Sequence, residues 1–303
     1  MSSRIRELVS EVKMERLEGN VRALEGLRHG TQNYATLEEK AGFVADKLNS
    51  FGCEVESQPV IYNKRNYRNI IATLRGSELD AARFLVGAHY DSPRGSPGAD
   101  DNASGVAALL ESARVLVGQR FTKTIQFVAF TLEEPQTWNH SILCGSRLFV
   151  REARRSGIRY NAVLILECVG YTDKKERSQL IPSLVGIPVP KTGDFLGVIA
   201  NRSSKPLMEA FHKSATTWVP EVRLVSYAVP LHGYLIPQSR FSDHSSFWNH
   251  GYPAIMLTDT AMFRNPNYHT CNDTHYTLDY DFLACVTKSV VAYIGTACGL
   301  ITD

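Results

Sequence analysis

Apolar positions recur every three or four residues over about residues 2–17 and again over about 35–51, and this spacing predicts two amphipathic packing helices, the second ending near Gly52. The period then changes. CEVESQPV (53–60) and NIIATL (69–74) alternate apolar and polar residues as strands at a sheet edge do, with the polar segment YNKRNYR (62–68) as a hairpin-like link. Strand and helix patterns alternate from there on. FLVGAHYD (84–91) leads to a helix from Asp101, TIQFVAFTL (124–132) to a helix around Ser146 to Arg155, and AVLILEC (162–168) follows. DFLGVIANR (194–202), a helix near Pro206 to Trp218, VRLVSYAV (222–229), PAIMLTD (253–259) and a long helix from about Asp279 to Ala297 complete the pattern. Antiparallel first strands followed by βα alternation predict one three-layer α/β/α domain over residues 1–303, with helices on both faces of a central mixed, mostly parallel sheet.

Composition narrows the partners. The chain has 303 residues, 44% hydrophobic and 21% charged, enough to bury a full core. Lys plus Arg number 33 against 31 Asp plus Glu, a net charge of +2, so bulk electrostatics gives no case for nucleic acid or an anionic membrane. A peptide or small amino-acyl substrate is the expected partner. The first twenty residues are charged throughout and lack the apolar core of a secretory signal, and no apolar run approaches the roughly 20 residues of a membrane span, so a cytoplasmic location is expected. Six cysteines (53, 144, 168, 271, 285, 298) without a C-x-x-C pair fit reduced thiols better than a disulfide framework. Four N-x-S/T matches, at Asn102, Asn139, Asn201 and Asn272, read as chance.

Ligands of an open α/β sheet gather outside the carboxyl ends of its strands, and acids and imidazoles stand at those ends here. FLVGAHYD delivers His89 and Asp91 before a Gly-, Pro- and Ser-rich loop that carries Asp100 and Asp101 to a helix start. TIQFVAFTL runs into Glu133 and Glu134, AVLILEC carries Glu167, and the loop after PAIMLTD holds Tyr268, His269 and Asp273. Imidazole and carboxylate donors of this mix suit zinc or a neighbouring divalent metal, and several carboxylates suit a pair of ions. Asp100 reads as a helix-start residue. Asp243, His244 and Ser245 in SDHSSF invite a triad reading, but residues so close in sequence do not make that geometry easily and no G-x-S-x-G elbow is present; His244 is offered to the substrate pocket instead. Cys168 follows Glu167 and is expected to point away from the site, which disfavours it as a nucleophile.

GAHYDS, PGADDNASG, the Glu133–Glu134 pair, GSRLF, SDHSSF and NYHTCNDT occur in an order that resembles the co-catalytic zinc aminopeptidases, whose relatives include glutamate carboxypeptidase and glutaminyl cyclase. The resemblance spans roughly residues 70 to 290. It implies a zinc exopeptidase, an aminopeptidase first of all, that hydrolyses the N-terminal peptide bond through metal-activated water. It implies two Zn²⁺ ions, or one. His89 and Glu134 fall on ligands of separate metals, Asp101 on the bridging carboxylate, His269 and Glu167 on further ligands, Glu133 on the general base and Asp91 on the carboxylate that orients His89. Chemistry agrees with these roles: a short bridging arm holds two ions close, consecutive residues on an extended segment separate ligand from base, and Asp91 can fix the tautomer of His89. Tyr268 is placed to donate to a developing oxyanion.

Glu167 departs from the aspartate of many secreted members, and PQTWNHSILC after Glu134 is longer than the expected loop, so that Trp138 and His140 could wall the pocket. The segment from Pro230 to Phe241 with Arg240, together with Arg264 and Asn265, is expected to line it too. An arginine there would favour a carboxypeptidase or dipeptidase by binding a substrate carboxylate, or would pair with Asp243. A one-zinc glutaminyl cyclase and a catalytically dead binding module on the same scaffold are the rival readings, the second opposed by the intact set from His89 to His269.

Overall fold

The structure is a computed structural model that describes residues 2–78, 82–137, 143–182 and 185–302. The first apolar period resolves into two helices, α1 (Ser2–Ser10) and α2 (Met14–Leu24), in place of the single helix expected over 2–17. Lys13 is extended (φ −113, ψ 122), so Leu17, Val21 and Leu24 turn inward on a new axis beside Ile5 and Leu8. The second run is α3 (Tyr34–Ser50). β1 (Glu54–Tyr62) and β2 (Arg65–Leu74) form a longer hairpin than the pattern suggests, because most of YNKRNYR is strand and only Asn63 and Lys64 turn. Both have positive φ, 46 and 62, the left-handed pair with which a two-residue turn follows the strand twist.

Onward the elements are β3 (Arg83–His89), α4 (Gly105–Leu116), β4 (Arg120–Phe121), β5 (Ile125–Phe130), α5 (Cys144–Arg155), β6 (Tyr160–Glu167), β7 (Leu196–Asn201), α6 (Lys205–Trp218), β8 (Leu224–Val229), α7 (His244–Trp248), β9 (Ala254–Thr258), α8 (Tyr280–Ala297) and β10 (Leu300–Ile301). Eight strands make one sheet in the order β1-β2-β5-β3-β6-β9-β7-β8, while β4 and β10 pair as a separate ribbon. β5, β3, β6 and β9 are parallel; β2 runs against β5, and β7, with β8 parallel to it, runs against β9. The sheet is mixed as expected, with a further reversal at β9 and β7 beyond those of the edge hairpin.

Strands buried on both faces read as continuous apolar runs, and β3 and β6 do. Val86, Ala88, Leu164 and Leu166 face the core shared with α1 to α4, α6 and α8; Leu85, Val163 and Ile165 face the core shared with α5 and α7. The three-layer arrangement follows. It directs the ends of β3, β5, β6 and β9, at His89, Phe130, Glu167 and Thr258, to one edge of the sheet.

Candidate metal centre

His89 ends β3 and Glu167 ends β6, the neighbouring parallel strand, so their side chains leave the same edge side by side. His89 Nε2 lies 3.4 Å from Glu167 Oε2 and 3.3 Å from Asp101 Oδ1. The other carboxylate oxygen of Asp101 lies 3.0 Å from His269 Nε2, which is 3.9 Å from Glu134 Oε1. Three donor sets overlap, His89, Asp101 and Glu167; His89, Glu133 and Glu134; and Asp101, Glu134 and His269, with the donor atoms within each set no more than 4.8 Å apart and Asp101 shared by the first and the last. Glu133 Oε2 stands 3.9 Å from His89 Nε2.

These donors fit a divalent cation on two grounds. His89 Nε2 and Asp101 Oδ1 are buried without a hydrogen-bond partner, which costs free energy unless something else satisfies them. The cluster also holds more buried negative charge than its imidazoles can balance. Burial pushes the Glu133 and Glu134 carboxyls well above the usual range, and neighbouring carboxylates add to it. Burial opposes charging of His89, yet Glu167, Glu133, Asp101 and Asp91 together raise its pKa well above the ordinary value. For Asp101 burial also acts upward, but the His269 and His89 imidazoles close to it outweigh that and hold the carboxyl below the ordinary range.

Local structure places each group. The helix expected from Asp101 begins at Gly105; Ala99 to Ser104 form an irregular turn in which Asp101 (φ −104, ψ 88) and Asn102 (φ −135, ψ 39) leave helical geometry. Gly98, at φ 63, enters that turn so tightly that a Cβ would strike the Asp101 carbonyl. Glu133 and Glu134 do not lie on an extended segment. Leu132 turns left-handed (φ 52) after β5, and both glutamate N–H groups donate to the Asp91 carboxylate at 3.1 Å. Asp91 stands behind His89, its carboxylate 3.5 Å and its carbonyl 3.2 Å from Nδ1, so one residue touches both the histidine and the glutamate loop. Tyr268 stacks on His269 with ring centroids 3.8 Å apart. Burial raises its phenol well above the usual value.

Several supports of the cluster depend on partners distant in sequence. The Arg28 guanidinium is wholly buried and donates to the carbonyls of Tyr90 (2.7 Å), Gly26 (3.1 Å), Pro97 (2.5 Å) and Gly98 (2.7 Å), clamping the loop between His89 and Asp101. Asp273 accepts from the N–H groups of Asp100 (2.9 Å) and Asp101 (3.1 Å). Asp100 is not at a regular helix start: it is buried, accepts from Gly170 N (2.9 Å) and Asn265 Nδ2 (2.8 Å), and is pushed well above its usual pKa by burial and by Asp259. Asn102 is also buried, accepting from Gly105 N and Cys168 N, which leaves no room for a glycan. Only the distance in sequence from Arg28 to the loop it grips, and the absence of any periodicity at Asp259 or Asp273, hid these roles.

Beside the cluster lies a cavity of about 130 Å³ whose wall includes Glu167 and Tyr268. Ile199 of β7, Val225 of β8, Met256 of β9 and residues of the stretches 179–182 and 185–195 supply most of the rest. Ile236, Gln238, Ser239 and Phe241 of the expected segment line it; Arg240, Arg264 and Asn265 do not. Arg264 donates to Gln179, Tyr171 and Phe195, and Arg240 to His232 and Asn249, so neither guanidinium faces a substrate or pairs with Asp243. Asp243 is buried with both oxygens unpartnered, its pKa pushed up to about 7 by burial. His244 lies outside the cavity and bonds the Ser239 carbonyl at 2.8 Å, and Ser245 donates to Ser242, so no triad forms. Cys168 does not point away: its left-handed backbone (φ 49) breaks the strand alternation and sets its sulfur 3.5 Å from Glu167 Oε1, in a site where burial raises the thiol. Trp138, Asn139 and His140 lie outside the described residues.

A three-layer α/β/α sheet thus carries, at the ends of its parallel strands, a donor cluster that shares one carboxylate. The chain belongs to peptidase family M28, whose model matches residues 69–294. Among similar proteins, an uncharacterized protein of Escherichia coli strain K12, YfbL, is 34% identical over 291 residues, covering 92% of this chain and 87% of that one. A probable leucine aminopeptidase of Trichophyton verrucosum is 27% identical, covering 97% of this chain and 75% of that one. Among solved structures, the Legionella pneumophila LapA aminopeptidase shares the fold at a TM-score of 0.79 and 19% identity, covering 99% of this chain and 76% of that one. The family resemblance and the fold expected from the motifs are therefore correct.

Proposed function

We propose that residues 1–303 form one catalytic domain, a cytoplasmic zinc aminopeptidase that removes an N-terminal residue with an apolar side chain. The observation that carries this reading is the position of Asp101, one carboxylate oxygen 3.3 Å from His89 and the other 3.0 Å from His269. Such a residue would be shared by two ions, one held with His89 and Glu167 and the other with Glu134 and His269. When bound, zinc polarises the scissile carbonyl and lowers the pKa of water. Glu133, near the cluster but outside both bridged sets, takes the proton of the attacking water and returns it to the leaving amine. Asp91 holds the Glu133–Glu134 loop and His89 in register. Tyr268, kept protonated by burial, donates its phenol proton toward the developing oxyanion. The cavity, near the roughly 150 Å³ that accepts benzene in an engineered core, suits one leucine- or phenylalanine-sized side chain. No Lys or Arg is among its described lining residues, which favours an aminopeptidase over a carboxypeptidase, and its apolar wall disfavours the glutamine side chain a cyclase must seat. Free cysteines support the cytoplasmic assignment, and no described helix is long and apolar enough to cross a membrane.

Glu133→Gln should keep zinc, measured by elemental analysis, while turnover of leucyl amide falls at least about a hundredfold. Activity within tenfold of the parent would remove Glu133 from the base role. Chelation should abolish turnover and Zn²⁺ restore it. The mass of the product from a peptide with N-terminal Gln separates hydrolysis, which adds water, from cyclisation, which releases ammonia.

A further inference from the structure

The apolar cavity does not end where a leucine side chain would. Glu167 and Tyr268 mark its inner end, at the metal cluster. Its outer wall includes Leu180, Ile181, Phe241 and Met262, which line the cavity and yet are 62%, 43%, 49% and 37% exposed. Four of the twelve large apolar side chains exposed among the described residues line this one cavity, and a concentrated patch of that kind marks an interaction site. Its construction points the same way. Leu180, Ile181, Phe241 and Met262 sit on chain without long helices or strands, held in place by polar bonds: Arg264 to Gln179, Gln179 to Thr260, and His244 to Ser239. Core packing does not demand apolar residues at the exposed ends of such segments.

Because the patch is continuous with the cavity and the cavity with the cluster, its occupant is the substrate itself. We propose that the enzyme acts on aminoacyl amides and peptides whose N-terminal side chain is a long apolar chain, longer than leucine or phenylalanine, which fills the cavity and runs out over the collar of Leu180, Ile181, Phe241 and Met262. A closed pocket of leucine size would reject such chains; an apolar collar rewards them. Each methylene that lies half-buried on the collar raises kcat/KM by about twofold, half the effect of a fully buried one. No charge is needed at the far end, and none is present among the described lining residues beyond Glu167.

This inference rests on the aminopeptidase reading, and one substrate series separates the two. With the zinc-loaded enzyme, kcat/KM is measured for the amides of alanine, leucine, norleucine, 2-aminooctanoic acid and 2-aminodecanoic acid. The expected result is a rise that continues through the eight- and ten-carbon residues, and a variant Leu180→Asp that lowers the ratio of the 2-aminodecanoyl to the leucyl value at least fivefold. A maximum at leucine or norleucine followed by decline overturns the long-chain proposal while leaving the aminopeptidase intact. So does an unchanged ratio in Leu180→Asp together with an equal ratio in Phe241→Asp. No cleavage of any amide in the series, with zinc present, overturns the aminopeptidase reading and the inference with it.

Discussion

The cluster and the cavity share Glu167, but they are built by opposite rules. In the cluster every side chain is a specific acid or imidazole, and backbone N–H groups fix the carboxylates behind it: Glu133 and Glu134 donate to Asp91, Asp100 and Asp101 to Asp273, and Gly170 to Asp100. In the cavity beside it any apolar residue of suitable size would do, and the wall converges from β7, β8, β9, the segment before β7 and the turns before α7. The difference separates two tasks. A charged centre must be held to fractions of an ångström before a cation arrives, whereas an apolar pocket needs volume and dryness. Changes in the two regions should therefore be felt in different measurements, metal affinity for one and substrate preference for the other.

The strongest test of that division removes a support from the cluster without touching a metal donor. Asp91→Ala leaves the N–H groups of Glu133 and Glu134 without their acceptor and removes the carboxylate beside His89 Nδ1, although the Asp91 carbonyl stays, so zinc affinity should fall about 10- to 100-fold and turnover at least as far. Competition against a chelator of known strength reads the affinity. The ratio of leucyl to alanyl turnover at saturating zinc should stay put. An unchanged affinity would mean that the cluster keeps its shape through Arg28 and Asp273 alone.

The same contrast explains what the sequence discloses. Every donor is legible because few residue types can do its chemistry and each stands at a strand end or in a loop next to one: His89 after an apolar run, Glu134 after another, Glu167 inside a third. The strand and helix succession is equally plain, since buried parallel strands impose long apolar runs. What escaped was geometry set by turns and long-range partners. Leu132 and Cys168 adopt left-handed backbones that reorient Glu133, Glu134 and the Cys168 sulfur, and nothing in an apolar-polar pattern announces a positive φ on a leucine. Arg28 reads as one of many surface cations, although three of its four carbonyl partners lie more than sixty residues away on the loop that bears the site. The pocket wall differs in part for the same reason: sequence offers an arginine to a substrate carboxylate or to Asp243, whereas Arg264 is spent on bracing the segment that forms the wall.

A pocket change should produce the reverse pattern to Asp91→Ala, with a smaller effect. Ile199 projects from β7 into the cavity wall, and Ile199→Asp sets a carboxylate there. Leucyl amide should lose about 30-fold in kcat/KM, because an apolar side chain now meets a charge it must desolvate, while lysyl amide gains relative to it. Zinc affinity should match the parent. A parallel loss of zinc would mean that the two regions form one unit through Glu167 and are not separable.

The smallest effect belongs to the support of the pocket turn, and pH reads it. Burial lowers the His244 pKa from 6.5 to about 3, so the folded protein keeps this imidazole neutral with Nε2 facing the Ser239 carbonyl. Between those values the unfolded chain binds a proton that the folded chain refuses, and stability falls as pH drops through the window. By about pH 5 the loss from this one group is roughly 2 kcal/mol. Asp243 acts with the opposite sign: its folded pKa is raised from 3.8 to about 7, so it retains a proton that the unfolded chain gives up, and its contribution improves as pH falls from 7. The informative quantity is thus a difference of differences. Urea unfolding of the zinc-free parent and of His244→Gln, at about pH 7 and about pH 5, cancels Asp243 and the cluster carboxylates, which both proteins share. The variant should lose about 2 kcal/mol less than the parent on acidification, with zinc affinity unaltered. Equal losses would mean that His244 is protonated in the folded state and that the turn carrying Ser239 is held by something other than a neutral imidazole.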